Sequence, residues 1–463
     1  MPEFAHSRPS GRIRNNYFDG LPISEPQTIL FGMLMLLYFF QQYCNWNFAY
    51  LSPAFVRSLG LDTSGGYRLV ATVGACFALG QGLGAVVTGF LSDRYGRRPM
   101  LLVSLVVFTV AGTFNGLATS PWAFILARTV TGYGVFSVMV VTNTYIAEFA
   151  PAQSRGKLQS IVATVGFTAP PVVALLAWTT TPVVPDSWRY ILYFSGVGLL
   201  PICLALIFIK ESPRWLVGKG RVGEAEAIMS ELCRRDVQLA HVAGRAGKAV
   251  PLREALRFLS GGRYRKRFFS QLVLYGLGIP AFFNILIWPP ILLDAEIGLE
   301  PGLRISAWLA VFIPLGCLLP AFVSDSLGRR HCLIVMLLFA GVGAVGYGLC
   351  PPDSDFLLPL GIINVLGTMG GTFGLFTYTA ESFPTGIRNT AVGIVQGGGR
   401  LGMILFQVPT YFLAEAYGRS GVYLLVGALL LLLLPLLVLS TENTAGKSLE
   451  ELNAETPAWG DAE

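Results

Sequence analysis

The chain has 463 residues, 53% of them hydrophobic and 13% charged, with 33 Lys and Arg against 27 Asp and Glu and a net charge of +6. A soluble protein carries roughly a quarter charged residues, so a water-soluble globular enzyme is excluded, and the small positive excess calls for no nucleic-acid partner. Long apolar runs follow one another with short breaks, and about 20 such residues suffice to cross a bilayer.

Taken in order, residues 1–27 form a polar tail carrying Arg8, Arg12 and Arg14. It lacks the apolar core and cleavage site of a secretory signal, so the first span is expected to be retained. Twelve helices are then expected near 28–51, 69–91, 99–118, 121–147, 157–179, 189–209, 268–292, 303–323, 332–350, 357–380, 390–413 and 421–440. With the N-terminus inside, 26 of the 33 Lys and Arg fall in cytoplasmic segments, which fits the positive-inside bias and puts both termini in the cytoplasm. Arg57, Arg68, Arg189, Arg304 and Arg419 fall outside, while Arg128 and Arg400 lie within spans. Residues 210–267 interrupt the series with fourteen Lys and Arg. There "EAEAIMSELCRR" has the spacing of a short amphipathic surface helix.

The expected organisation is a cytoplasmic tail (1–27), a six-helix bundle (28–209), a central loop (210–267), a second six-helix bundle (268–440) and a cytoplasmic tail (441–463). Two repeats support it. "SDRYGRR" at Ser92–Arg98 returns as "SDSLGRR" at Ser324–Arg330, and "YIAEFAPAQSR" from Tyr145 returns as "YTAESFPTGIR" from Tyr378. The offsets are 232 and 233 residues, the signature of a duplicated transporter half.

The repeated turns place Asp93 and Asp325 near the start of the following helix, where a carboxylate is expected to cap free N–H groups. Arg97, Arg155, Arg329 and Arg388 are expected to face Glu148 and Glu381 on the same side of the membrane, forming charge clusters that latch the two bundles. The plainer reading is that these are turn residues and positive-inside anchors. No Gly-rich segment ends in Gly-Lys-Ser or Gly-Lys-Thr, so ATP is not the expected energy source. Seven scattered cysteines without a Cys-x-x-Cys pair, and three histidines outside the span centres, give no disulfide, metal or cofactor framework.

"GFLSDRYGRR", "RTVTGYG" from Arg128, "ESPRWLVGKGRVGEAE" from Glu211 and "TENTAGKSLEEL" from Thr441 resemble the major facilitator superfamily in its sugar-porter-related branch. "YTAESFPTGIRNTAVGIVQGGGRLG" from Tyr378 is similar to bacterial metabolite/proton symporters related to aromatic-acid, niacin and organic-cation transporters. The resemblance spans essentially the whole chain. It implies an all-α polytopic membrane protein of twelve transmembrane helices in two pseudo-symmetric bundles, working as a monomer by alternating access, with a small metabolite and protons as partners. Short outer loops and the lack of an Asn-x-Ser/Thr sequon fit a bacterial inner membrane. One departure stands out. The related aromatic-acid symporters carry aspartates in the first span, where this chain reads "QQYCNWNFAYLSP", so a coupled proton would have to use the substrate's own carboxylate or be absent.

Cargo in this fold is expected near the midplane between the bundles, where polar groups usually face a cavity. Arg128, whose family counterpart is tied to proton coupling and gating, is one candidate, and a structural arginine bound to helix carbonyls is the alternative. Arg400, with Gln396 one turn earlier, is a cation without a nearby carboxylate in sequence, which suggests an anionic ligand. Gln41, Gln42 and Asn45 share about one turn of the first span; Tyr275, Asn284 and Trp288 are the seventh-span candidates for binding or gating. Gln81 and Gln407 read more readily as interhelical hydrogen bonding, and the glycines at 80–84 and 397–399 as close helix packing. The expected activity is transport of a small organic anion, an aromatic or other carboxylate. A sugar or polyol carrier of the same fold, and a transporter-like metabolite sensor, remain alternatives.

Overall fold

The computed structural model describes residues 23–151, 154–184, 186–234, 236–237, 239, 252–262, 264–383 and 387–440. Among these the chain is helical, and twelve segments cross the apolar layer. The first four are α1 (Glu25–Ser58), α2 (Thr63–Tyr95), α3 (Arg97–Leu117) and α4 (Pro121–Phe149). The fifth is α5 (Arg155–Gly166) continued by α6 (Ala169–Thr180), and the sixth is α7 (Ser187–Tyr193), a 3₁₀ stretch (Phe194–Gly198) and α8 (Leu199–Phe208). Short helices α9 (Pro213–Gly218), α10 (Val222–Cys233) and α11 (Leu252–Leu259) fill the described part of the central segment. The second half holds α12 (Tyr264–Ile287) with α13 (Pro289–Ile297), α14 (Leu299–Leu327), α15 (Arg329–Leu349), α16 (Leu357–Glu381) and α17 (Arg388–Ser440).

Ten of these stretches are long and apolar enough to span by composition. α17 is two crossings joined at Gly418, whose φ of 58° and ψ of −140° break the helix. α1, 34 residues long, completes the twelve; its three glutamines and two asparagines lower its hydropathy. The fifth and seventh spans are not continuous, because paired prolines at Pro170–Pro171 and Pro289–Pro290 lack the N–H that would bond back to the preceding turn. The expected amphipathic helix is α10, which buries Ala225, Met229 and Leu232. Ser24, at the N-cap of α1, donates its hydroxyl to the Leu232 carbonyl, so α10 is docked on the first bundle.

Within the halves, α2 packs on α4 and α14 on α16, while α3 on α4 repeats as α15 on α16. The halves meet along α2 against α17 and α6 against α14. Small residues bring the helices close: a Cβ on Gly80 would lie 2.0 Å from the Thr129 carbonyl oxygen and one on Gly84 2.3 Å from that of Tyr133. In the second half a Cβ on Gly398 would lie 2.6 Å from the Leu272 side chain and one on Gly399 3.3 Å from the Tyr275 carbonyl oxygen, and the tightest approach to α12 falls at Gly402, 2.0 Å from the Gly276 carbonyl oxygen.

The repeated turns carry the one clear correction. Gly96 and Gly328 sit at φ 110° and 80°, a region open to glycine and strained for other residues, and the chain reverses there. Asp93, however, lies in the last turn of α2, and Asp325 is likewise within the last turn of α14. Asp93 is not placed to cap the next helix, and the side chain of Asp325 lies outside the described residues. The N-terminus of α3 is capped instead by Glu211, which accepts from the Arg97 N–H at 2.9 Å and the Arg98 N–H at 3.2 Å. A carboxylate one turn before the reversal faces the wrong end of its own helix, whereas Glu211 arrives from the loop after the sixth span. The second arginine of each turn has a matching role: Arg98 Nη2 donates to the Leu206 carbonyl at 2.6 Å and Arg330 Nη2 to the Val438 carbonyl at 2.7 Å. Both partners are displaced by 232 residues, so each turn anchors the last helix of its own bundle.

Candidate transport site

Between the bundles, Arg400 of α17 is half-buried. Its guanidinium carbon stands 4.2 Å over the Phe136 ring of α4 and 5.5 Å from that of Phe283 of α12. Nη1 reaches the Met403 sulfur at 3.1 Å. Arg400 has no carboxylate ion pair among the described residues. Phe283 in turn stacks on Trp46 of α1, centroids 5.3 Å apart and planes 12° from parallel. Four spans from both halves thus converge on one guanidinium. Gln396 lies half-buried one turn earlier on α17.

The first-span amides lie on the other flank. Gln41 Nε2 donates to the Val135 carbonyl at 3.2 Å, next to the Phe136 that underlies Arg400. Asn45 Nδ2 donates to Gln42 Oε1 at 3.3 Å, and Gln81 Nε2 of α2 to Asn45 Oδ1 at 3.0 Å. Gln407 of α17 presses on Gly74 of α2, where a Cβ would meet its amide at 3.2 Å. Several polar atoms in this zone are buried without a hydrogen-bond partner: Gln41 Oε1, Gln81 Oε1, Gln407 Oε1, Asn284 Oδ1 and Trp46 Nε1.

Arg128 does not join Arg400. It is 2% exposed, and Nη1 donates to the Cys44 carbonyl at 3.0 Å and Asn47 Oδ1 at 2.9 Å, with Nη2 3.4 Å from the Asn45 carbonyl. Phe77 and Phe48 cover it at 4.5 and 5.5 Å. Its fork fixes the backbone of α1 where the Gln42–Asn45 pair sits. Tyr275 points into the second bundle, its hydroxyl 3.5 Å from the Leu375 carbonyl and its ring 6.0 Å from Phe376. Trp288 stands at the α12–α13 break, fully buried, and meets Tyr67 of the first bundle at 6.0 Å.

Cross-bundle polar contacts gather at the face opposite the two Gly-Arg-Arg turns. Arg57 grips Asp294 with two bonds, Nη2–Oδ1 at 2.5 Å and Nε–Oδ2 at 3.2 Å. Ser64 bonds Glu415, Arg68 Nη2 donates to the Tyr411 hydroxyl at 3.4 Å, and Trp178 Nε1 donates to Glu300 at 3.0 Å. This far face is closed. At the basic face, Arg97 pairs with Asp93 at 2.9 Å and with Glu148 at 3.3 Å; these partners and Glu211 all belong to the first half. The side chains of Arg155, Asp325, Glu381 and Arg388 lie outside the described residues, and Arg329 is half-buried at the start of α15.

Sequence reasoning missed Trp46, Phe136 and Phe283, because aromatic residues in an apolar run carry no mark of what they face. It also missed Glu211 as a cap and Arg57–Asp294 as a pair, since neither partner has a periodic signal. A third repeat was legible in retrospect. Arg189 Nη1 donates to the Gly116 and Ala118 carbonyls at the end of α3. Arg419, 230 residues on, donates to those of Tyr347 and Cys350 at the end of α15, and pairs with Glu296 at 2.8 Å.

Comparison with known proteins agrees with this architecture. Residues 66–455 match the family described as sugar (and other) transporter. The chain is 28% identical to YyaJ of Bacillus subtilis, assigned to metabolite transport, over 94% of this chain and 96% of that one. It is 25% identical to the niacin transporter NiaP of Acinetobacter baylyi, over 94% and 98%. Its fold superposes on a partially occluded inward-open structure of the xylose transporter XylE from E. coli with a TM-score of 0.69, at 19% identity, covering 91% of this chain and 99% of that one. A twelve-span duplicated architecture and a family match over most of its length make one conclusion plain: the chain is a multi-pass membrane transporter and belongs to the sugar (and other) transporter family.

Proposed function

We propose that the protein is a secondary transporter that carries a small organic anion, an aromatic or other carboxylate, by rocking its two bundles about the centre described above. The observation that carries this reading is Arg400, a guanidinium between the bundles with aromatic rings on two sides and no carboxylate partner among the described residues. A half-buried cation between aromatic rings is costly unless paired, and a substrate carboxylate matches the planar fork of donors. The name of the niacin transporter among the relatives fits a carboxylate cargo. Gln41, Gln42, Asn45, Asn284 and Gln396 shape the polar wall, Arg128 holds α1 in register, and Tyr275 and Trp288 belong to the moving shell.

The described carboxylates lie toward span ends, so a proton that travels with the cargo rides on the cargo's own carboxylate. With the far face closed, the bonds of the Asp93–Arg97–Glu148 cluster run inside one half, as expected of a basic-face latch that has let go; Arg155, Asp325, Arg329, Glu381 and Arg388 would complete it. A neutral sugar or polyol is the second reading, favoured by the unpartnered amide oxygens and by the name of the family. A thermal-stability screen of the purified protein separates the two, because a ligand that binds only the folded state raises its apparent stability. Carboxylates should stabilise the protein and Arg400→Gln should abolish the shift. Stabilisation by sugars alone, unchanged in Arg400→Gln, would overturn the anion reading.

A further inference from the structure

Several buried amide oxygens of the transmembrane helices lack a hydrogen-bond partner. Gln41 Oε1, Gln81 Oε1, Gln407 Oε1 and Asn284 Oδ1 are all acceptors, two from each half of the molecule, on side chains 4% exposed or less. For two of them the amide orientation is forced. Gln41 donates to the Val135 carbonyl and Asn284 to the Pro280 carbonyl. A carbonyl only accepts, so the nitrogen must face it and the oxygen is the atom left over. Gln41 is anchored beside Phe136, and Asn284 follows Phe283, the two rings that flank Arg400. Trp46 Nε1, also unpartnered, is a donor on the ring stacked against Phe283.

An aromatic or aliphatic carboxylate would answer Arg400 and leave these acceptors unmet. The donors they call for must come with the ligand. An ammonium group would bring donors, but its charge would face Arg400 with no carboxylate among the described residues of the span centres to offset it. Hydroxyls fit both signs of the pattern, since each donates one hydrogen and can accept from the Trp46 indole. We infer that the substrate is a polyhydroxylated carboxylate, its acid group on Arg400 and its hydroxyls on the amide oxygens of Gln41 and Asn284. This rests on the carboxylate reading above and narrows it.

The test uses the full-length purified protein and three six-carbon probes. Gluconate has both features, hexanoate only the acid, and sorbitol only the hydroxyls. Gluconate should raise the melting temperature at a concentration at least about tenfold below either of the others, because a site built to bond hydroxyls rejects analogues lacking them. Asn284→Leu and Gln41→Met should each weaken the gluconate response about tenfold and so narrow its advantage over hexanoate. If hexanoate equals gluconate, the hydroxyl requirement is wrong and the carboxylate reading survives. If sorbitol equals gluconate and Arg400→Gln changes neither, the carboxylate reading falls and takes this inference with it. No response to gluconate overturns the inference outright. Should either variant fail to fold, the wild-type comparison of the three probes still decides.

Discussion

Asp294→Asn should open the far face of the transporter without unfolding it. Asp294 is held by two bonds from Arg57 across the bundle interface, and the side chains are 11% and 54% exposed. An exposed ion pair contributes only about 0.2–1 kcal/mol. The bidentate geometry and the sheltered carboxylate place this one near the top of that range, about 1 kcal/mol. Since about 1.4 kcal/mol is a factor of ten, losing it should favour the open far face by about fivefold. Removing Glu415 as well, which bonds Ser64 elsewhere on the same seam, should enlarge the shift further, because separate contacts add. Spin labels on Ser58→Cys and Tyr417→Cys, both exposed, would read the seam directly, with exposed Cys203 replaced by Ser. The long-distance population should grow in Asp294→Asn and return toward wild type in the charge-exchanged Arg57→Asp/Asp294→Arg protein. An unchanged distance distribution would refute the reasoning, as would a loss of fold in place of a shift in distance.

The remaining predictions concern the scaffold. Glu211→Ala removes the acceptor for two N–H groups at the start of α3 and should lower stability by about 1–2 kcal/mol, seen in thermal unfolding and in faster amide exchange at Arg97 and Arg98. Arg98→Ala and Arg330→Ala should have matched effects of about 1 kcal/mol each, additive in the double variant because their anchors lie in different bundles; a large coupling energy would contradict the repeat. Gly80→Leu places a side chain against a carbonyl already 2.0 Å from the Cβ position, so α2 and α4 must separate. The loss should be about 3 kcal/mol or more, measured as folded yield and melting temperature, whereas Gly82→Leu, with open space around it, should be tolerated.

Much of the fold was legible in the residues, because bilayer thickness makes span length and loop charge direct consequences of composition. The duplication was readable too: Asp-x-x-Gly-Arg-Arg and Tyr-x-Ala-Glu return at nearly one offset. What the turn residues do was less legible. Asp93 looked like a cap because it precedes a helix in sequence, yet the cap is Glu211, brought in from more than a hundred residues away by the sixth span. The site divides in the same manner. Arg400, Gln41 and Asn284 drew notice as polar residues within apolar runs, which is a local signal. Phe136, Phe283 and Trp46, which place Arg400 between rings, are ordinary apolar-run residues until the helices are packed. Arg128 drew notice for the same local reason as Arg400, and the structure shows it satisfied by Cys44, Asn45 and Asn47. Sequence marks where a buried charge is; only packing says what answers it.

The central claim is that a carboxylate crosses the membrane at Arg400, and substrate exchange in reconstituted vesicles tests it most directly. Vesicles holding the purified protein and loaded with an unlabelled carboxylate that stabilises it should take up the labelled form. Arg400→Gln should lose that exchange while keeping the wild-type melting temperature without ligand. Exchange at the wild-type rate in Arg400→Gln, or exchange of neutral sugars alone, would contradict the account.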